Sequence, residues 1–326
     1  MMESLKTVYQ QKLKDFQKRK NNELTILLYH GVTNSISKGI ENHAGKHMEE
    51  KNFAKQMKYI RNKCSPISID EYLFYCENKT DLPPNPVVVS FDDGFKNNYS
   101  VAAPILDEFQ IPAVFYISSG VVNTNMMFWV DVLEDCINLT KKPYINVYLN
   151  EKVEFFIDTY EQKIAALNSI KAYCKTRPHF DTKRVLEDIQ VATGITPQVD
   201  HAENYKKITW DELKVMNDSS LFVIGGHSLY HNILSQLDAN MLDKEIRSSL
   251  DLLEINLQTS IYHYSYPEGQ KNHYNSSVIN VLKKYGVVCS PSAVPGLNPI
   301  DTDPFHLKRI MVGFSELPFP YLDTSL

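Results

Sequence analysis

Short apolar runs alternate with spans of helical periodicity along most of this 326-residue chain, and that alternation narrows the fold more than any other feature. Residues 25–29, 87–91, 113–117, 221–224, 261–266 and 286–290 are brief apolar runs of the kind buried strands use. Between them, residues 49–63, 99–109, 210–217, 239–257 and 274–285 carry helical patterning, with Pro104 expected to kink the second of these. Residues 66–72 read as a strand running into a helix capped by Ser68 or Asp70. Repeated βα units favour a parallel sheet with crossover helices, open or closed into a barrel. The rhythm breaks at 123–207. There the sequence predicts helical pieces at 129–138, 160–176 and 180–192 and a hairpin at 143–157 with Asn150 near its turn, together a mainly helical insertion. Residues 34–47 read as a polar loop. The expected organisation is a charged helical segment at 1–23 and a single domain at 24–326 that carries the insertion.

Composition excludes several functions. Hydrophobic residues at 43% and charged residues at 22% fit a globular chain, and a net charge of −5 offers no basic field for nucleic acid. The 19 Tyr and 15 Phe could stack on sugars, though a core uses them equally well. Cys64, Cys76, Cys136, Cys174 and Cys289 are odd in number and scattered, which reads as reduced thiols in a reducing compartment. The first 23 residues have no apolar core or cleavage site of a secretory signal, and no apolar run is long enough to span a membrane. The expectation is a cytoplasmic protein, with a peripheral place at the inner membrane face as a weaker variant.

Parallel βα folds collect their chemistry at the carboxyl ends of the strands. The polar groups at those ends are His30, Asp92 and Asp93, His227 and His231, Tyr266-Pro267-Glu268-Gly269, and Arg309 near the end of the chain. Two His and at least two Asp among them make an Asp/His₂ metal set. Asp92 and Asp93 close the run Val87-Val88-Val89-Ser90-Phe91, and Gly94 permits a bend that decides which carboxylate faces a pocket. His227-Ser228-Leu229-Tyr230-His231 follows Gly225-Gly226, which read as a tight turn into a helix, and on a helix i and i+4 imidazoles share a face. A second such pair, His43 and His47, lies in the polar loop and is assigned to the surface. Trp129 reads as the apolar anchor of an amphipathic helix, with a place for Trp129 and Asp131 along an acceptor groove as the alternative. Trp210 reads as core, just after an N-cap at Thr209.

These residues resemble the polysaccharide deacetylases with a NodB homology domain, carbohydrate esterase family 4. Ser90-Phe91-Asp92-Asp93-Gly94 matches the first motif and His227-Ser228-Leu229-Tyr230-His231 the second, both complete and in order. The resemblance covers residues 24–313 apart from the insertion and implies an α/β fold, a distorted (β/α) barrel. It also implies that Asp92 is the general base and that Asp93, His227 and His231 bind one divalent ion, zinc being the ion expected. Tyr264-Ser265-Tyr266-Pro267-Glu268-Gly269 stands at the third motif, whose backbone N–H meets the oxyanion. Here the chain departs from the family: Glu268 replaces a common Tyr, and Ser265 stands where some members carry an Arg. Arg309 is then the candidate to hold Asp92. His30, in Leu28-Tyr29-His30-Gly31-Val32, resembles the Tyr-His motif of deacetylases acting on poly-N-acetylglucosamine and is preferred over His306 as general acid.

The expected activity is metal-dependent removal of an N-acetyl group from an amino sugar, free, nucleotide-linked, lipid-linked or oligomeric, in surface-glycan assembly. A cytoplasmic setting weighs toward the nucleotide- or lipid-linked forms. An O-deacetylase and an inactive sugar-binding module are the alternatives.

Overall fold

The computed structural model describes residues 22–176, 179–314, 317 and 319–321, without the side chains of 179–181. The helical segment expected at 1–23 lies outside these residues except for its last two. Two compact units divide the chain: Met1–Asn34, Ala44–Asn123 and Ile208–Leu326 form one, and Ser35–His43 with Thr124–Lys207 form the other.

The first unit begins with β1 (Glu23–Tyr29), β2 (Gly31–Thr33), β3 (His47–Glu49), β4 (Ser65–Pro66), β5 (Pro86–Phe91) and β6 (Ala113–Ile117). The second unit holds the hairpin β7 (Tyr144–Tyr148) and β8 (Lys152–Phe156). The first unit then resumes with β9 (Phe222–Gly226), β10 (Asn298–Pro299) and β11 (Ile310–Met311). β1, β5, β6 and β9 pair in parallel in that order, and β11 pairs in parallel with the other side of β1. Beyond β9 the sheet continues through single parallel bridges, Gly226 to Tyr264 and His263 to Cys289. Ser290 N to Pro304 O (3.0 Å), Ser292 N to Leu307 O (2.8 Å) and Arg309 N to Val294 O (3.1 Å) then carry the bonding round to β11. Hydrogen bonds therefore encircle the unit, and the fold is a distorted (β/α) barrel. The distortion sits where the sequence suggests full strands at 261–266 and 286–290. Tyr264 and Ser265 each make one bond across, and Pro267, having no N–H, lies just beyond the end of the ladder.

The period of two sorts the strand side chains. Leu27, Val89, Phe91 and Phe115 join the cluster that includes Phe53, Met57 and Ile60 of the helix Glu50–Lys63. Ile26, Val88, Val114, Tyr116, Cys289 and Leu307 form the other cluster and fill the barrel. Ser90 and Asp92 share the parity of Val88, so they continue the interior row toward the carboxyl end.

The two helix caps read from the sequence are both present. Ser68 and Thr209 each form a capping box, with Glu71 and Glu212, and Trp210 packs against the first cluster. Around Pro104 the chain forms a π turn at Asn98–Ala102 and then an α-helix at Ala103–Glu108, with the proline in the first α turn, where its missing N–H does least harm. The second unit has its own core of Leu133, Ile137, Ile145, Val147, Leu167, Ile170 and Ile189, against which Trp129 packs. Ile40, in the stretch read as a polar loop, is fully buried in that core.

Gly225 and Gly226 correct one expectation. They are strand residues, and their bare Cα atoms admit neighbours rather than a turn. A Cβ on Gly225 would lie 2.8 Å from the His263 carbonyl oxygen and 2.7 Å from the Tyr116 ring. Gly225→Ala should therefore destabilise the protein by about 1–3 kcal/mol through overpacking, read as a lower urea midpoint at unchanged m-value.

Candidate active site

The end of β5 bends at Asp93. Asp92 N still donates to Tyr29 O (3.0 Å) in strand register, but Asp93 has φ +83° and Gly94 φ +87°. Two successive left-handed residues turn the chain sharply, and Asp tolerates that region better than most residues. The bend lets both adjacent carboxylates, only 4% and 6% exposed, face the same end of the barrel.

Asp93 Oδ1 lies 3.6 Å from His227 Nε2 and 3.4 Å from His231 Nε2. One donor atom from each of the three residues falls within 4.8 Å of the others, and this is the one such group among the described residues. His227 Nδ1 donates to Ser265 O (2.9 Å), which directs the lone pair of Nε2 toward Asp93. Burial pushes the His227 pKa down to about 4, so the ring is neutral and able to ligate. Asp93 Oδ1 is buried and accepts no hydrogen bond among the described residues. A carboxylate oxygen that accepts no hydrogen bond among the described residues, with two imidazole nitrogens converging on it, fits a divalent ion.

The histidine motif itself is not helical. Residues 227–231 form an irregular loop, with Ser228 at φ +63° and His231 at φ +60°, which an α-helix forbids. The imidazoles meet through loop geometry, with ring centroids 5.0 Å apart. The other pair is also corrected. His47 is 3% exposed on β3, with Nδ1 2.8 Å from Asn97 Nδ2 and its ring edge-on to Phe95. His43 belongs to the second unit, where its Nδ1 lies 3.6 Å from Glu134 Oε2.

Arg309 closes on Asp92. Its Nη1 donates to Asp92 Oδ1 and its Nη2 to Oδ2, both at 2.7 Å. The remaining donors reach Ser265 Oγ (2.8 Å), Ser90 Oγ (3.4 Å) and, from Nε, Ser292 O (2.8 Å). The guanidinium is fully buried. Burial alone would raise the Asp92 pKa, but the charge of Arg309, helped by His227, outweighs it and holds the carboxyl at about 2. Ser265 thus seats an arginine that arrives from another strand.

His30 ends β1. Its ring lies edge-on to Phe314, and its buried Nδ1 has no hydrogen-bond partner among the described residues. Burial lowers its pKa, while Asp93 and Asp92 pull the other way. His306 is exposed, with Nδ1 3.4 Å from Tyr274 Oη. The Tyr266 side chain is buried support: it stacks on Tyr274 at 4.0 Å and donates to Phe305 O. Pro267, Glu268 and Gly269 make a tight turn closed by Gly269 N to Pro267 O (2.6 Å), with φ +57° at both Glu268 and Gly269. Sequence reasoning missed Lys46, whose charge acts on both His30 and Asp93. A lysine in a polar loop carries no signal that would mark it.

A parallel barrel thus carries two carboxylates and two imidazoles at its carboxyl rim, where barrel enzymes gather their chemistry. The chain matches the Polysaccharide deacetylase family over residues 79–290, and it belongs to that family. It is 26% identical over 164 residues to the Poly-beta-1,6-N-acetyl-D-glucosamine N-deacetylase of Staphylococcus aureus strain MRSA252, covering 47% of this chain and 53% of that protein. The match in strain MSSA476 is 27% over 156 residues, 44% and 50% of the two chains. The chain spans about half the length of the curated relatives it matches. Among solved structures, IcaB from Ammonifex degensii superposes with a TM-score of 0.58 at 17% identity over 90% of this chain and 93% of that one. The de-N-acetylase from Aggregatibacter actinomycetemcomitans gives 0.56 at 18% over 93% and 98%. These likenesses show a shared fold.

The Asp92–Arg309 pair makes a stability prediction. Arg309→Met strands a buried carboxylate and should cost about 3–5 kcal/mol, much of it recovered in Asp92→Asn/Arg309→Met, as denaturant titration would measure. A carboxyl at about 2, against about 3.9 unfolded, stabilises fully at neutral pH and loses its contribution as pH falls from about 4 to about 2. In metal-free Arg309→Met burial is left to raise the Asp92 carboxyl, so the sign reverses and the contribution of this group should improve as pH falls through the acid range.

Proposed function

We propose that this chain is a metal-dependent carbohydrate N-deacetylase that hydrolyses the acetamido group of an amino sugar. The observation that carries the reading is the convergence of Asp93 Oδ1, His227 Nε2 and His231 Nε2 beside an Asp92 clamped by Arg309. Asp93, His227 and His231 hold a divalent ion, zinc by the nature of the donors, which supplies Lewis acidity when bound. Asp92 is the base that takes the proton of the attacking water. Arg309 keeps it ionised and fixes its plane, with Oδ2 3.9 Å from His227 Nε2 and so facing the ligand set. The backbone N–H at Glu268, in the Pro267–Gly269 turn beside Tyr266, meets the oxyanion. His30 gives the leaving amine its proton. Its half-buried position, with Nδ1 enclosed, and its electrostatic coupling to both carboxylates support that role over exposed His306.

The names of the staphylococcal relatives support a polymeric amino-sugar substrate. That likeness weighs more than the compartment argument that favoured nucleotide- or lipid-linked sugars. No disulfide joins the cysteines among the described residues, and no helix among them is long and apolar enough to cross a membrane.

Measurements of metal, rate and substrate test this. Acetate release from N-acetylglucosamine oligomers should require a divalent ion, and about one zinc per chain should be lost in His227→Ala/His231→Ala. Asp92→Asn should keep the zinc and lose about 10²–10⁴-fold in rate; loss of zinc with activity restored by added ion would make Asp92 a ligand instead. Release of acetate from O-acetylated sugars alone would replace the amide with an ester as substrate. For the acid, His30→Ala should abolish amide hydrolysis and spare an aryl acetate, whose leaving group needs no proton, while His306→Ala stays mild on both. The reverse pattern would move the role to His306.

A further inference from the structure

The irregular loop that carries both histidines needs a restraint other than a helical ladder. His227 N donates to Ile117 O (2.9 Å) and Ser228 N to Tyr264 Oη (2.8 Å), while Ser119 N and Gly120 N bond the carbonyls of Ser228 and Leu229. The next two donors, Leu229 N and Tyr230 N, converge on one atom, Glu245 Oε1, at 3.1 and 3.2 Å. Asn232 Nδ2 donates to the same oxygen at 3.1 Å. Glu245 projects from the buried face of the helix Ala239–Leu257 and is only 9% exposed. Three N–H groups on one buried carboxylate oxygen form a charge-assisted clamp, with successive backbone donors acting as an anion-binding nest. The clamped segment lies between two left-handed non-glycine residues, Ser228 and His231, whose conformations persist only where the surroundings enforce them.

We propose that Glu245 is a positioning residue for the site: by fixing the backbone between His227 and His231 it holds His231 Nε2 in its place 3.4 Å from Asp93 Oδ1. This rests on the metal-binding reading above. Glu245 touches neither the ligand atoms nor a substrate, and it acts through the loop. Removing its carboxylate strands two buried backbone donors and frees the loop to relax toward right-handed conformations that carry His231 away.

The test compares Glu245→Leu and Glu245→Gln with Ile246→Ala, a core truncation at the neighbouring residue. Three quantities are read: the zinc dissociation constant by competition with a chromophoric chelator, the visible spectrum of the Co²⁺ form, and amide exchange at residues 228–231 in metal-free protein. Glu245→Leu should weaken zinc binding by about 10–100-fold, the range of outer-sphere orienting residues, alter the Co²⁺ spectrum and expose the loop amides. Glu245→Gln, which keeps an acceptor but not the charge, should weaken binding by less. Ile246→Ala should lose stability and leave zinc affinity unchanged. Equal zinc affinity in Glu245→Leu and Ile246→Ala, or loop protection unchanged in Glu245→Leu, overturns the proposal. If Glu245→Leu does not fold, Glu245→Gln decides: zinc affinity and loop protection equal to wild type overturn the clamp. Failure of the wild-type chain to bind zinc defeats the metal reading by itself, and the exchange measurement still decides whether Glu245 holds the loop.

Discussion

The ion pair between Asp92 and Arg309 is the interaction on which the rest of the site depends. Neither charge is tolerable alone in the barrel interior, where each would forfeit its hydration. Together, with Ser90, Ser265 and Ser292 around them, they satisfy both carboxylate oxygens and the main guanidinium directions. The geometry exists only because residues 304–311 close the sheet onto β1, one strand away from β5. Closure of the barrel and ionisation of Asp92 are thus linked. The serines scattered among apolar strand ends are the seats of this pair.

Much of the barrel is legible in the sequence because apolar run length and helical spacing are local signals. Residues 113–117 and 239–257 coincide with their elements for that reason. What the sequence hides is long-range. Nothing near Gly225-Gly226 reveals that Tyr116 and the His263 carbonyl need the space, so the pair suggests a turn. The spacing of His227 and His231 suggests a helix, because Glu245, which takes the backbone donors, lies on a later element. His47 sits in a polar stretch and looks like surface, yet a three-residue strand and the Phe95 ring bury it. The paired carboxylates and the motif histidines stand out as residue types. The partner that orients Asp92 was only a candidate, since no local pattern ties Arg309 to β5.

The two histidines of the loop also differ in kind. His227 is fixed by a carbonyl from the neighbouring bridge and is fully enclosed, while His231 lies closer to solvent on a residue with left-handed backbone. One histidine is held by the barrel and the other lies on an irregular loop, so a change in that loop can move His231 without unseating His227.

The sequence distance between Asp92 and Arg309, 217 residues, also has a meaning in time. At synthesis rates of about 5–20 residues per second, roughly 10–40 s pass between the emergence of the two partners. Throughout that interval the ribosome-borne chain carries an acid destined for an apolar interior with no cation to meet it. β5 cannot settle into its final environment until Arg309 has been made. The barrel is thereby protected from closing early around an incomplete site, at the expense of a long exposure of Val87, Val88 and Val89 to chaperones and to other nascent chains.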